Sequence, residues 1–200
     1  MGFTAIEKIL MKHSVEHVGK VAPGDFVTAY IDYAGFHEGW GARTFEMFEG
    51  LGEMTGVFDP EKVGVFLSHH FCTAHSDELA ENQKRTRDWA AKFGIKVFDF
   101  GTGIAHIQIM ERGIAYPGAL IVFGDSHTTA YGAVGALSTQ CGIEMPEVFL
   151  TGKLWFRVPT AHKYIVEGKA KNGVYSKDVI QYIMGQVGMD ASVYSSIEWD

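Results

Sequence analysis

Three segments of this chain close an apolar run with histidine. Ser68-His69-His70 follows Val63 to Leu67, Gly101-Thr102-Gly103-Ile104-Ala105-His106 follows Lys96 to Phe100, and Gly124-Asp125-Ser126-His127 follows Ala119 to Phe123. Imidazoles gathered in one place suit three kinds of work. Neutral rings bind metal ions, a ring near its pKa moves protons at neutral pH, and imidazolium with backbone N–H groups grips an anion. Gly101, Gly103 and Gly124 let the backbone approach a ligand closely, or they simply make turns. Asp125 beside His127 is the pairing a proton-transferring histidine needs, because a carboxylate raises the imidazole pKa and selects its tautomer. Asp125 or Ser126 could equally cap a helix beginning near Thr129. Ser126 does not sit in a G-x-S-x-G elbow, which argues against a Ser-His-Asp hydrolase. His37-Glu38 lies in a glycine-rich loop after an early strand and could face the same cleft. His75 reads as an exposed residue ahead of a helix, and His13, His17 and His162 read as structural. Cys72 and Cys141 stand far apart with no C-x-x-C spacing, so both read as buried thiols rather than ligands.

These residues need a scaffold that brings them together, and the pattern of elements supplies one. Thr4 and Glu7 have capping-box spacing ahead of the apolar stripe Ile6, Ile9 and Leu10, which predicts an opening helix. Val27 to Tyr33 reads as a strand and Arg43 to Glu53 as a helix. Val63 to Leu67 is a continuous apolar run, the mark of a strand buried on both faces. A helix is expected from Ser76, with Leu79, Gln83, Thr86, Trp89, Ala90 and Phe93 on its inner face and Gly94 as its stop. Lys96 to Phe100 and Ala119 to Phe123 are strands around a helix from Ala105 to Arg112. This alternation predicts a parallel sheet covered by helices, whose ligands gather beyond the carboxyl ends of the strands. After Pro146 the texture changes: Leu154 to Val158 and His162 to Glu167 read as strands joined across Pro159-Thr160, followed by a helix from Ser176 to Val187. The chain closes on Ser196-Ile197-Glu198-Trp199-Asp200 without a polar tail, so continuation into a larger fold is expected.

Composition narrows the function classes. The 200 residues are 46% hydrophobic and 20% charged, ordinary for a globular protein of one domain or slightly more. No stretch approaches the ~18 apolar residues of a membrane-spanning helix, and the charged N-terminus lacks the apolar centre of an export signal. Two cysteines exclude a disulfide framework. A net charge of −7 with no Lys/Arg cluster makes nucleic acid a poor partner.

The segment Gly118 to Thr128, then Tyr131-Gly132-Ala133, then Thr151-Gly152-Lys153-Leu154-Trp155-Phe156-Arg157-Val158-Pro159, resembles the 3-isopropylmalate dehydratase large subunit and its aconitase relatives. Thr4-x-x-Glu7-Lys8-Ile9-Leu10, Pro23-Gly24-Asp25, Gly103-Ile104-x-His106 and Ser196-Ile197-Glu198 agree in the same order. The resemblance implies an α/β fold: a three-layer parallel-sheet domain of the aconitase type over residues 1–150, with the start of a second α/β domain over 151–200. It implies a hydro-lyase acting on a 2- or 3-hydroxy di- or tricarboxylic acid of the isopropylmalate, citramalate or homocitrate class. It also implies a [4Fe-4S] cluster serving as Lewis acid in the complete enzyme, a small swivelling-domain subunit that carries the proton-abstracting serine, and a cytoplasmic or organelle-matrix location.

Carried over by position, Asp125, Ser126 and His127 match the family's active-site segment. His106 is expected to pair with Asp125 and Glu198 with His127, while His37 stands at a substrate-side position. Two departures stand out. The family's Asp-His at the end of the first buried strand becomes His69-His70, so His70 keeps the acid's position without its carboxylate. The Gly-x-Gly stretch becomes Thr139-Gln140-Cys141-Gly142, followed by Pro146 inside an expected helix. The cluster's cysteines are expected beyond Asp200, so this chain alone should hold no cluster and turn over no substrate. Two other readings compete: a non-catalytic ligand-binding or assembly module, and a mononuclear metal hydrolase built on His69, His70, His106, Asp125 and His127.

Overall fold

The computed structural model describes residues 2–52, 56–69 and 76–200, without the side chain of Ala42. The chain opens with α1 (Ala5–His13), whose N-cap Thr4 accepts the Glu7 N–H while the Glu7 carboxylate accepts the Thr4 N–H, the reciprocal pair expected from the sequence. The single strand expected over residues 27–33 is in fact two, β1 (Phe26–Tyr30) and β2 (Tyr33–His37). Between them the chain passes from one sheet to another: the Ile31 N–H bonds to the Gly152 carbonyl and the Asp32 N–H to the Leu120 carbonyl. β1 pairs antiparallel with β7 (Lys153–Arg157), whereas β2 enters the main sheet.

That sheet is built from β2, β3 (Val63–Phe66), β4 (Lys96–Phe98), β5 (Leu120–Gly124) and β6 (Leu137–Gln140), in the order β4-β3-β2-β5-β6 and parallel throughout. α2 (Glu38–Glu49), α3 (Asp77–Phe93), α4 (Ala105–Glu111) and a 3₁₀ turn over Thr128–Val134 carry the chain between strands, and α5 (Met145–Thr151) leads into β7. α3 begins and ends as its sequence predicts, with Ser76 accepting the Leu79 N–H and Gly94 turning left-handed at φ 69°. α2 starts earlier than the expected Arg43, directly at the end of β2.

Every residue of β3 and β5 is buried, because each face of the sheet has its own core. Phe36, Phe45, Phe48, Val65, Trp89, Val122 and Phe149 form one, and Tyr33, Phe66, Phe98, Ile109, Ile121, Phe123 and Tyr131 form the other. Helix, sheet and helix thus make the three layers expected. Crowding within the sheet has a local signature at Gly35, where a Cβ would stand 2.8 Å from the ring of its β5 partner Phe123.

Two further expectations are corrected. Pro146 does not break α5, since it lies in the first turn, where no intrahelical N–H is required. β7 and β8 (Thr160–Tyr164) follow one another but do not pair: β7 joins β1, and β8 runs parallel to β9 (Ser195–Trp199) across α6 (Ser176–Val187). Leu154 and Val158 are buried in the first of the two cores, so that core extends through residue 158. No helix among the described residues is long and apolar enough to cross a membrane.

The crossing from β1 to β2 is clamped by an ion pair between the buried His13 and the half-buried Asp32. His13 Nδ1 lies 2.8 Å from the Ile9 carbonyl and Nε2 lies 2.7 Å from Asp32 Oδ2, so both ring nitrogens face acceptors and the imidazolium is the form that satisfies them. The hydrogen bond to Asp32 raises the His13 pKa, with burial opposing it. Burial pushes Asp32 up, but His13 and the Leu120 N–H outweigh it and leave the carboxyl below its usual value. A raised histidine pKa stabilises the fold below about 6.5 and loses that contribution as pH rises through the folded-state value. The depressed Asp32 contributes above about 4 and is lost in acid. His13→Ala should therefore cost about 1–3 kcal/mol at pH 5.5 and measurably less at pH 9, read by urea denaturation. An equal loss at both pH values would contradict a charged clamp.

Candidate functional site

The strand order makes β2 and β5 neighbours whose onward connections leave in opposite directions, β2 toward β3 and β4, β5 toward β6. Beyond the carboxyl ends of such a pair the connections diverge and leave a crevice. His37 ends β2 and Asp125 follows β5 directly. The turns after β3 and β4 bring His69 and His106 to the same rim.

Asp125 is the centre of this crevice, and its carboxylate is only 3% exposed. Its Oδ2 stands 2.9 Å from His69 Nε2 and 3.7 Å from His37 Nε2. Its Oδ1 accepts the His127 backbone N–H at 2.6 Å and lies 3.3 Å from His127 Nδ1 and 3.7 Å from His106 Nδ1. The rings also touch one another. His37 and His69 stack at 4.0 Å between centroids, His69 meets His106 edge-on at 5.7 Å, and His106 and His127 are 4.8 Å apart.

Local chemistry holds each ring. His37 caps α2, its Nδ1 accepting the Gly39 N–H at 3.1 Å, which leaves the neutral ring's proton on Nε2, toward Asp125. A Cβ at Gly39 would come within 2.7 Å of that ring, so glycine is what allows the cap. His69 Nδ1 is 3.0 Å from the Ser68 hydroxyl. The loop that carries His69 is gripped from below by Glu38, which is 2% exposed. One carboxylate oxygen of Glu38 accepts the Ser68 N–H at 2.8 Å and the other the His69 N–H at 2.7 Å. Gly103, left-handed at φ 107°, makes the turn ahead of His106.

The electrostatics follow from this packing. Burial alone would raise the Asp125 pKa, but the His127 N–H and the imidazoles of His69, His37 and His106 more than offset it, and the carboxyl titrates below its usual value. Burial lowers the pKa of His106, Asp125 partly restores it, and His127 and His69 lower it again, so the ring is neutral at pH 7. The result is a buried anion surrounded by imidazoles, with His127 67% exposed at the mouth. Such a group can bind a small anion, exchange protons with it, or hold a cation.

Of the residues expected from sequence, His37, His106, Asp125 and His127 come together here, with Ser126 between the last two. His70 lies outside the described residues. Glu198 is placed elsewhere: its carboxylate accepts the Ala5 N–H at 2.7 Å, in the first turn of α1, where a helix has free N–H groups and a positive end. Sequence reasoning treated His69 as the replacement for a lost aspartate, whereas in the structure it makes the shortest side-chain contact to Asp125. It also passed over Glu38 as a support. The available signal was an acidic residue opening a helix directly after a strand of a parallel sheet, a position that faces the next strand end.

Cys141, the one free cysteine among the described residues, is buried. Burial, with Glu144 and Glu147 nearby, pushes its thiol up to about 12. A thiol so reluctant to ionise does not fit an iron–sulfur ligand.

The chain is similar in sequence to known proteins. Residues 7–199 match the family model described as the aconitase family (aconitate hydratase). The chain is 41% identical to a 3-isopropylmalate dehydratase large subunit of Aquifex aeolicus, which it matches over 100% of its own length and 46% of the relative's. Identity is also 41% to large subunit 1 of the same dehydratase in Methanopyrus kandleri, over 100% of this chain and 47% of the relative. A probable methanogen homoaconitase large subunit of Methanothermobacter thermautotrophicus is 39% identical over 96% of this chain and 46% of its own length. The chain thus spans about half the length of the curated relatives it matches.

The support under His69 is directly testable. Glu38→Ala strips two buried N–H groups of their acceptor and should destabilise the chain by about 2–4 kcal/mol. Glu38→Gln, which keeps one carbonyl acceptor, should cost about half as much. Chemical denaturation of both variants reads this, and a neutral Glu38→Ala would show that the contact carries no weight.

Proposed function

The chain belongs to the aconitase family, and on that premise we propose that it supplies the histidine–carboxylate side of a hydro-lyase active site within a larger enzyme. The observation that carries this reading is the ionised, buried Asp125 ringed by His37, His69, His106 and His127 at the β2/β5 crevice. Dehydration of a hydroxy acid must deliver a proton to the departing hydroxyl so that it leaves as water. His127 at the mouth and the neutral His106 behind it are placed to carry that proton. Asp125 stabilises whichever ring is protonated, and the His69 Nε2–H holds Asp125 in its ionised form. Substrate carboxylates have imidazole N–H groups and the Ser126 hydroxyl to meet at this rim.

The substrate class proposed is a 2- or 3-hydroxy di- or tricarboxylate, such as an isopropylmalate, citramalate or homocitrate relative. Cys72 lies outside the described residues, and the buried Cys141 does not fit the family's [4Fe-4S] cluster, so we assign the cluster's ligands to the half of the relatives' length that this chain does not span. A small, swivelling-domain subunit is the partner that would bring the base for the neighbouring carbon, and a cytoplasmic or organelle-matrix setting suits such an enzyme.

The experiment is reconstitution. The complete large subunit containing this chain, assembled with its small subunit and anaerobically loaded with iron and sulfide, should dehydrate a hydroxy acid of this class. Asp125→Asn in that assembly should lower kcat/KM by about 10²–10⁴ with the cluster's absorbance intact. An intact cluster without activity on any such acid, or an Asp125→Asn enzyme of unchanged rate, would defeat the proposal.

A further inference from the structure

The two oxygens of Asp125 face different chemistry. Oδ2 is closed by hydrogen-bond donors. An ionised carboxylate only accepts, so His69 Nε2 at 2.9 Å must carry its proton, and its Nδ1 then accepts from the Ser68 hydroxyl at 3.0 Å. His37 reaches the same oxygen with the Nε2 that its Gly39 cap leaves protonated. Neither ring offers Oδ2 a free lone pair. His37, His69 and Asp125 therefore make a poor metal face, although their donor atoms lie within 4.8 Å of one another.

The Oδ1 side is different. One lone pair takes the His127 backbone N–H. The other faces His127 Nδ1 at 3.3 Å and His106 Nδ1 at 3.7 Å, again with all three donor atoms within 4.8 Å. His106 Nδ1 is buried and has no hydrogen-bond partner among the described residues. Whether it carries a proton or a lone pair, a buried ring nitrogen left so is costly, and such an atom calls for a partner that the described residues do not supply. Besides Asp125, His127 Nδ1 has a long contact, 3.4 Å, to the rotatable Ser126 hydroxyl.

We propose that Asp125 Oδ1, His106 Nδ1 and His127 Nδ1 form a three-ligand face that takes one divalent first-row transition-metal ion, such as Zn²⁺ or Fe²⁺, in this chain by itself. Bonds of about 2.0–2.2 Å set neighbouring ligand atoms roughly 3.0–3.5 Å apart, so the Oδ1–His127 distance already fits and the Oδ1–His106 distance must close by a few tenths of an ångström. Two imidazoles and one carboxylate without thiolate select this group of metals over Mg²⁺ and Ca²⁺. The exposed His127 leaves the remaining coordination positions open to water or to a small oxyanion and provides the entry path. Behind the ligands, the His69 Nε2–H on Oδ2, itself steadied by Glu38, fixes the carboxylate's angle as outer-shell partners do. The proposal concerns the chain alone and does not rest on the hydro-lyase reading.

The test is titration of the metal-stripped, tag-free 200-residue chain with Zn²⁺ and Co²⁺, followed by X-ray absorption of the zinc-loaded form. One equivalent should bind, with a first shell of nitrogen and oxygen only. His127→Gln, at an exposed position that the fold does not need, should weaken binding by at least about tenfold, and His106→Gln likewise. His162→Gln, on β8, should leave it unchanged. Failure to retain one equivalent, a sulfur scatterer in the shell, or affinity unmoved by His127→Gln would each overturn the assignment.

Discussion

A carboxylate that is 3% exposed at the end of a fully buried parallel strand is an expensive object. Removing one charge from water costs several kcal/mol unless neighbours replace the lost hydration. The surroundings of Asp125 can be understood as that replacement: the His127 N–H on one oxygen with His106 beside it, and the His69 and His37 Nε2–H groups on the other. Each neighbour comes from a different strand end, so the stability of the charge and the convergence of the loops are one requirement. If β2, β3, β4 and β5 were not in register, the aspartate could not stay ionised where it is.

The scaffold answers this requirement with a second tier of contacts. Glu38 leaves the end of β2 and reaches the loop after β3, holding two N–H groups that would otherwise be buried without acceptors. Gly39 gives up its side chain so that His37 can fold back on the helix it starts. At the amino ends of the central strands, the His13–Asp32 clamp ties α1 to the point where the chain enters β2 and to the start of β5. The strands that carry the site are thus anchored at the end opposite to it, where no chemistry interferes.

Much of this was legible in the sequence where the cause is local. The Thr4/Glu7 capping box, the Ser76 cap, the Gly94 stop and the apolar runs of β3 and β5 each depend on neighbours within a few residues, and they formed as expected. The convergence of His37, His106, Asp125 and His127 could be anticipated because strand–helix alternation places successive strand ends on one rim. What could not be read depends on distant partners. The break at Ile31-Asp32 exists because Gly152 and Leu120 claim its N–H groups, and the grip of Glu38 on Ser68 and His69 spans 30 residues. Family likeness pointed Glu198 at His127, yet its carboxylate is placed on the open N–H groups of α1. Likeness cast His69 only as the residue standing where the family has an aspartate, whereas its imidazole meets Asp125.

The central claim is that Asp125 remains an anion because imidazole N–H groups point at it, and nitrogen NMR of the histidine side chains addresses this most directly. Long-range ¹H–¹⁵N correlation at pH 7.5 distinguishes the two neutral tautomers of each ring. His37 and His69 should both carry their proton on Nε2, and the ring signals of both should move when Asp125 becomes Asn. Finding either ring protonated on Nδ1 instead, or indifferent to that substitution, would mean that the imidazoles do not hold the carboxylate and that the architecture described around it is wrong.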